Sequence, residues 1–179
     1  LAVHRRMMGL SGEDCVRVLQ EAYPALPQGV AGVDGLPSKR AEAFQAVRQE
    51  RGVHPLPGVA AFLEACRRAG IRLAVATSAT REGVAAEFAA LGWEGLFETI
   101  VTADDIAHHK PAPDAYLEAA RRLGFMPADC LAFEDGLNGL ASARAAGMPV
   151  VFVRDARFGI EAPFAVPTVA SFEELLVRA

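Results

Sequence analysis

The stretch Cys130-Leu131-Ala132-Phe133-Glu134-Asp135-Gly136 combines a short apolar run, two adjacent carboxylates and a glycine that opens the next segment. A short apolar run that ends at a turn signal is typical of a buried strand. In open α/β sheets, ligands bind beyond the carboxyl ends of the strands, which is where Glu134 and Asp135 would lie. Their oxygens suit a hard cation such as Mg²⁺. The alternative is a helix N-terminus that carries acidic residues, which the helix dipole favours without any metal.

Three apolar runs, at residues 71–77, 130–133 and 149–153, each follow a helical segment that ends in arginine and then glycine. Arginine in the last turn suits the helix dipole, and the glycine supplies a left-handed C-cap. A further strand is predicted at residues 97–102. Because helices alternate with strands that are almost continuously apolar, the sequence predicts an α/β fold with a Rossmann-like parallel sheet covered on both faces.

The chain before residue 55 lacks such strands and is predicted to be helical, beginning with a helix at Gly12–Ala22. The prolines of Pro55-Leu56-Pro57-Gly58 form a rigid link to the remainder of the chain. The sequence therefore predicts a small all-helical domain at residues 1–54 and an α/β domain at residues 55–179. Because the first residues resemble the end of a helix already under way, we expect the chain to be part of a longer polypeptide.

The composition argues against several classes of protein. The chain has 179 residues, of which 52% are hydrophobic, but no apolar run approaches the ~18 residues of a membrane span. A net charge of −4 provides no basic surface for nucleic acid. The three cysteines, Cys15, Cys66 and Cys130, lie in apolar surroundings, so we expect reduced thiols in a cytoplasmic protein.

Polar side chains that suit a phosphoryl group follow three of the predicted strands. Because the carboxyl ends of parallel strands gather at one edge of a sheet, we expect these side chains to converge. Hydroxyls bind phosphate oxygens, an ammonium neutralises their charge, and Mg²⁺ shields the remainder. The sequence therefore predicts a site for a phosphoryl group beside Mg²⁺. The candidates are, strand by strand, Thr77 and Ser78, then Lys110, then Glu134 and Asp135.

Some of these candidates also have simpler interpretations. Thr77 and Ser78 could cap the N-terminus of the next helix. Lys110 could be a solvated surface charge, but only Lys39 and Lys110 among the 18 basic residues are lysines. Because the chain uses arginine at almost every other basic position, a lysine here indicates that the site requires a compact point charge.

Neighbouring polar residues complete the set of candidates. Arg81 lies in the first turn of the helix that follows the first strand and could reach a substrate. Asp104 and Asp105 precede a short turn and are predicted to begin a helix rather than to bind a ligand. The adjacent His108 and His109 cannot both face one ligand from a regular element, so we expect no metal site there.

In their order and spacing, these segments resemble the motifs of the haloacid dehalogenase superfamily, in the β-phosphoglucomutase and phosphoglycolate phosphatase branch with a small helical cap. The family's second motif matches Ala74-Val75-Ala76-Thr77-Ser78, and its third matches Lys110-Pro111-Ala112-Pro113-Asp114. The fourth matches Phe133-Glu134-Asp135 with Gly139 and Ala146-Gly147-Met148. Each motif alone is weakly specific, whereas their order and spacing together are highly specific.

This resemblance implies a Mg²⁺-dependent phosphatase that hydrolyses a small phosphorylated metabolite through an aspartyl-phosphate intermediate. It implies that Thr77 binds phosphate and that Lys110 is the bridging ammonium. It further implies that Asp135 is a direct Mg²⁺ ligand and Glu134 a second or outer-shell ligand. Residues 1–54 would form most of a cap that closes over the site. We expect such an enzyme to be a cytoplasmic monomer with no nucleic-acid or membrane partner.

The chain departs from the family at one decisive point. The first motif, an Asp-x-Asp-Gly loop that carries the nucleophile and the general acid/base, is absent. In the family its strand lies in the middle of the sheet, so without it two apolar strand edges would face an empty slot. We therefore expect the parent polypeptide to carry this motif upstream of Leu1.

Smaller departures bear on the alternatives. Mutases of this branch tend to carry a basic residue after Gly-x-Ser, whereas here Gly12 follows Gly9-Leu10-Ser11, which favours a phosphatase. Gly136 and His109 stand where the family commonly has a serine and a small residue. The alternatives are a β-phosphoglucomutase-like mutase, and a catalytically inactive fragment or binding module.

Overall fold

Helices and parallel strands alternate from residue 59 to residue 153 in the computed structural model, which describes residues 12–24, 46, 50, 52–155 and 159–176. The predicted α/β class is confirmed. Short 3₁₀ turns lie at Ala103–Asp105 and Pro127–Asp129. The helices are α1 (Gly12–Ala22), α2 (Val59–Arg68), α3 (Arg81–Leu91), α4 (Asp114–Leu123), α5 (Leu137–Ala145) and α6 (Glu173–Leu176). The strands are β1 (Ala74–Ala76), β2 (Thr99–Val101), β3 (Ala132–Glu134), β4 (Val150–Val153) and β5 (Thr168–Val169).

The helix–strand joins form as the arginine and glycine pattern predicts. In α4, Arg121 and Arg122 occupy the last turn, and Gly124 follows with a left-handed φ of 75°. The strands are shorter than the apolar runs that predicted them: the run at residues 71–77 yields only Ala74–Ala76. Backbone bonds nevertheless extend the pairing by a residue at its end, since the Thr77 N–H donates to the Val101 oxygen over 2.9 Å.

Only part of the predicted all-helical domain lies among the described residues. Helix α1 has the predicted bounds, and Cys15 within it is buried. Ala46 and Glu50 are both helical. The remainder of the prediction for residues 1–54, including the domain boundary, is not tested by the residues that the structure describes. We find no candidate membrane-spanning helix among the residues that the structure describes.

The strands form two parallel sheets within the described residues. Strand β1 pairs with β2, which places Val75 opposite Ile100. Strands β3, β4 and β5 form the second sheet in that order, with Phe133 opposite Val151. Strands β1 and β3 are edge strands, because each pairs with a single neighbour in the described chain. The sheet of the α/β domain is thus divided between β1 and β3.

Helix α4 packs against both sheets. Its Ala115 and Ala119 pack with Val101 of β2, whereas its Tyr116 packs with Ala132 of β3. These residues form neighbouring stripes on one helix, because side chains three and four apart share a face. Helix α4 therefore holds the two sheets together where strand pairing does not.

An apolar cavity of about 640 Å³ separates the facing edges of β1 and β3, and we call it the strand groove. Besides the two strands, its walls include Phe62 and Cys66 of α2 and Tyr116 of α4. Along a parallel strand, successive peptide groups point to opposite sides. Thr77 bonds toward β2 and Ala132 bonds toward β4, through the oxygen of Pro149. The peptide groups one residue earlier or later, those of Ala76 and Phe133 among them, therefore face the strand groove.

Candidate functional site

Lys110 connects the carboxyl ends of β1 and β3, which form a rim at one end of the strand groove. Its ammonium donates to the backbone oxygen of Ala76, the last residue of β1, over 3.0 Å. It also donates to Oε1 of Glu134, the last residue of β3. Lys110 is 6% exposed, so its interpretation as a solvated surface charge is wrong. The lysine and the acidic segment meet at the rim, while their catalytic roles remain predictions.

Tyr116 is a third member of this contact and is not among the residues predicted from the sequence. Its hydroxyl donates to Oε1 of Glu134 and lies 3.5 Å from Nζ of Lys110, and its ring centroid is 4.7 Å from that nitrogen. Burial and the charge of Glu134 raise the pKa of Tyr116 above its ordinary value, so the hydroxyl keeps its proton. A tyrosine on the buried, alanine-rich face of a helix needs a hydrogen-bond partner. That requirement is the signal that could have revealed it.

The Glu134 carboxylate lies between Lys110 and Tyr116 on one side and the first turn of α5 on the other. Its Oε1 accepts from Lys110 and Tyr116, while Oε2 lies against Gly139. A Cβ added at Gly139 would lie 2.0 Å from Oε2, so only glycine leaves room for the carboxylate. This close approach explains the glycine of the fourth motif.

Asp135 follows Glu134 and is the candidate Mg²⁺ ligand. Loss of hydration, and then the negative charge of Glu134, raise the pKa of the Asp135 carboxyl, although the residue itself is exposed. A like-charged neighbour that one lysine only partly compensates suits a cation. The fit is partial, since the described residues contain no group of three or more histidine, cysteine, aspartate or glutamate side chains placed to hold a metal ion.

Thr77 and Ser78 lie in the loop between β1 and α3, and both are half-buried. The hydroxyl of Thr77 accepts from the N–H of Ala79 over 3.1 Å, which fixes the turn at the end of β1. The cap of α3 is Thr80, whose hydroxyl accepts from the N–H of Gly83. The alternative that Thr77 and Ser78 are an N-cap pair is therefore wrong.

Arg81 contacts the 3₁₀ turn after β2. Its N–H donates to Asp104 and its guanidinium to Asp105, over 2.8 Å and 2.6 Å. Asp105 also accepts from the N–H and the hydroxyl of Thr102 and from Arg122. This capping box confirms that Asp104 and Asp105 belong to the start of a helix, since both lie in the single turn of the 3₁₀ helix at Ala103–Asp105. A substrate-binding role for Arg81 remains a prediction, and it would require Arg81 to leave Asp105.

The two adjacent histidines point to different surroundings, as the sequence predicts. Nδ1 of His108 lies 2.8 Å from the Asp114 carboxylate. That contact holds the pKa of Asp114 below its usual range. Nδ1 of His109 is buried and has no hydrogen-bond partner among the described residues.

A family model of the haloacid dehalogenase-like hydrolases matches residues 10–147. The chain belongs to this family. The match includes the whole rim, from Thr77 to Asp135, so the resemblance drawn from the motif segments is confirmed.

Individual relatives agree with this assignment. CbbY of Rhodobacter capsulatus is 52% identical over 99 residues, which are 54% of this chain and 44% of that protein. The fructose-1-phosphate phosphatase YqaB of Escherichia coli is 36% identical over 150 residues, 83% of this chain and 77% of that protein. A crystal structure of CbbY from Rhodobacter sphaeroides in complex with xylulose-(1,5)bisphosphate has a TM-score of 0.79 and 29% identity, covering 97% of this chain and 78% of that one. The matched part of this chain thus spans less than half of the R. capsulatus relative.

Proposed function

We propose that the parent protein is a Mg²⁺-dependent phosphatase that hydrolyses small phosphomonoesters, of the sugar phosphate or phosphoglycolate type, through an aspartyl-phosphate intermediate. The observation that carries this proposal is the buried Lys110 ammonium, held at the rim between Ala76 and Glu134. The names of the relatives support the substrate class, because YqaB is a fructose-1-phosphate phosphatase and CbbY was crystallised with a sugar bisphosphate.

Each rim residue has a role in this proposal. Thr77 and Ser78 bind the phosphoryl oxygens at the end of β1, and Lys110 compensates the charge that develops on them in the transition state. Asp135, with Glu134 as a second or outer ligand, holds Mg²⁺. When bound, the ion neutralises the phosphoryl group as a Lewis acid. Burial of Lys110 strengthens its effect, since charges act more strongly where water is excluded.

The nucleophile is proposed to lie on a further strand that fills the strand groove. Both facing edges, β1 and β3, lack a second neighbour in the described chain, and the groove between them is apolar. Because β1 and β3 run parallel to their neighbours, a parallel strand between them would end at the rim beside Lys110. We propose that this strand comes from the parent polypeptide upstream of Leu1, and that residues 1–54 form the cap over the rim.

Hydrolysis of p-nitrophenyl phosphate tests this function. The longest natural polypeptide that contains these residues should turn over the substrate with Mg²⁺ and should stop when the ion is chelated. Asp135→Ala should lose most of the activity, whereas Asp129→Ala, in the 3₁₀ turn that precedes β3, should retain it. Metal-independent turnover, or an unaffected Asp135→Ala variant, would contradict the role of Asp135.

The same assay separates the alternatives. The 179-residue chain alone should be inactive, because the two carboxylates that its described residues bring to the rim, Glu134 and Asp135, are proposed to hold Mg²⁺ and not to attack the phosphoryl group. Inactivity of the longer natural polypeptide as well would identify an inactive or binding protein. Conversion of β-glucose 1-phosphate to glucose 6-phosphate without release of phosphate would instead identify a mutase.

A further inference from the structure

The ammonium of Lys110 has three protein partners at the rim. A lysine ammonium carries three N–H donors and no acceptor. Two donors are directed to the backbone oxygen of Ala76, at 3.0 Å, and to the carboxylate of Glu134. The third is directed to the hydroxyl of Tyr116, at 3.5 Å, the longest of the three contacts. All the donors of the buried ammonium are therefore engaged before any substrate binds.

A phosphoryl oxygen can bind to Lys110 only if one of these partners is released. Glu134 is charged, and hydrogen bonds between charged groups are roughly twice as strong as neutral ones. Ala76 lies at the end of β1, and its carbonyl cannot move without the strand. The Tyr116 hydroxyl is neutral, is the most distant partner, and keeps its own bond to Glu134 when Lys110 turns away. It is the partner that is released at the smallest cost.

We propose that the Tyr116 hydroxyl is an exchangeable partner of Lys110, which occupies the third N–H of the ammonium until a phosphoryl oxygen replaces it. The proposal rests on the phosphate-binding role of Lys110 proposed above. Tyr116 does not touch substrate in this scheme. It is a positioning residue, and its ring, 4.7 Å from Nζ, retains a cation–π contact after the exchange.

The simpler role for Tyr116 is core packing, since it belongs to a buried cluster with Ala120, Ala132 and Met148. The two roles predict different results when only the hydroxyl is removed. Loss of a core contact lowers stability and leaves anion affinity unchanged or weaker. Loss of an exchangeable partner leaves one N–H of the ammonium without an acceptor in the free protein, but not in the phosphate-bound protein. The free protein is therefore destabilised relative to the complex, and phosphate binds more tightly.

The test compares Tyr116→Phe with wild type in the longest natural polypeptide, at a fixed Mg²⁺ concentration, using inorganic phosphate in calorimetry. The proposal predicts that Tyr116→Phe binds phosphate about three- to tenfold more tightly, the effect of one hydrogen bond. KM for p-nitrophenyl phosphate should fall by a similar factor while kcat changes less than about twofold, because ground and transition states gain equally. The matched control is Tyr23→Phe, since Tyr23 is the other tyrosine and is exposed.

Unchanged or weaker phosphate binding by a folded Tyr116→Phe protein would overturn the proposal. Tyr116→Leu provides a second variant that lacks the hydroxyl, and it must show the same direction of change in phosphate affinity. The wild-type measurements distinguish this inference from the proposed function. If wild type neither binds phosphate nor turns over the substrate, both the proposed function and this inference are wrong. If wild type does both, and Tyr116→Phe binds phosphate as Tyr23→Phe does, only the proposed exchange at Lys110 is wrong.

Discussion

Two clusters of opposite charges lie in the same α/β domain and differ in how completely their charges are compensated. In the turn cluster, Asp105 accepts from Arg81 and Arg122, and from both donors of Thr102. In the rim cluster, Lys110 and Tyr116 donate hydrogen bonds to Glu134, and Asp135 adds a second carboxylate beside it. Two guanidinium groups contact Asp105, and one of them, that of Arg122, also pairs with Glu118, so the charges of the turn cluster compensate one another. At the rim, two adjacent carboxylates lie near a single ammonium, which leaves an excess of negative charge.

We propose that this difference separates a structural cluster from a functional one. A carboxylate with two guanidinium partners and a capping role ties two loops together and has no need of a ligand. Two adjacent carboxylates with one buried ammonium, which contacts only the first of them, suit a bound cation, and perturbed charges of this kind concentrate at functional sites. If the comparison is right, changes in the rim cluster should affect turnover, and changes in the turn cluster should affect stability.

The largest effect is expected from Lys110→Met. Removing the ammonium should lower kcat for p-nitrophenyl phosphate by about 10²-fold or more, because the transition state loses its charge compensation. Arg122→Met is the matched change in the turn cluster, and steady-state kinetics on folded protein should show less than about a threefold loss. Similar losses in the two variants would remove the distinction between the clusters.

Gly139→Ala and Gly83→Ala compare the third residues of α5 and α3. At Gly139 the added Cβ would lie 2.0 Å from Glu134, which must move; at Gly83 it meets only the Thr80 hydroxyl, at 3.3 Å. Displacing a rim carboxylate should lower kcat by roughly 10- to 100-fold, since small misplacements near the chemistry are costly. Gly83→Ala should retain wild-type kcat. Full activity of Gly139→Ala would mean that the position of Glu134 is unimportant.

Asp105→Asn should lower the free energy of unfolding by about 1.5–3 kcal/mol at pH 7, the range for hydrogen bonds to a charged group. The Thr102 hydroxyl, with Arg122 and Arg81, holds the pKa of Asp105 well below its usual range. A carboxyl whose pKa is lower in the folded than in the unfolded protein stabilises the fold. This contribution is fully present above the pKa in the unfolded protein, about 3.9, and is lost as the pH falls toward the pKa in the folded protein. Urea unfolding should therefore show a constant difference from wild type above about pH 5 that shrinks below about pH 4. A difference that grows on acidification would contradict this account.

The smallest effect is expected from Arg81→Ala. Because Asp105 holds the guanidinium in the turn cluster, KM for p-nitrophenyl phosphate should rise by less than about threefold, as for a removed weak contact. A rise of tenfold or more would show that Arg81 leaves Asp105 to bind the substrate, as the sequence allowed.

The sequence predicted those features of the site that follow from the order of the elements. Arginine and glycine at the helix ends marked where buried strands begin, and residues after the strands marked the rim, including Lys110 and Asp135. Lys110 could be distinguished from an ordinary surface lysine because the chain uses arginine at almost every other basic position. These predictions required only local chemistry and the geometry of parallel sheets.

Other features could not be predicted because they depend on contacts between distant segments. Tyr116 looked like an ordinary core residue, since periodicity reports that a face is buried and not which atom its hydroxyl meets. The pairing of Arg81 with Asp105 joins two loops that are 24 residues apart, so the arginine looked available for substrate. The shortness of β1 reflects its single pairing partner in the described chain, a property of the assembled sheet.

Amide hydrogen exchange of the longest natural polypeptide tests most directly whether a further strand fills the strand groove and brings a nucleophile to Lys110. The informative amides are those of Ala76 on β1 and Phe133 on β3, whose peptide groups face the groove. We predict that both exchange as slowly as the paired amide of Ala132, whose N–H bonds to the oxygen of Pro149. Rapid exchange of Ala76 and Phe133 beside a protected Ala132 would show that the groove is open and would contradict the account.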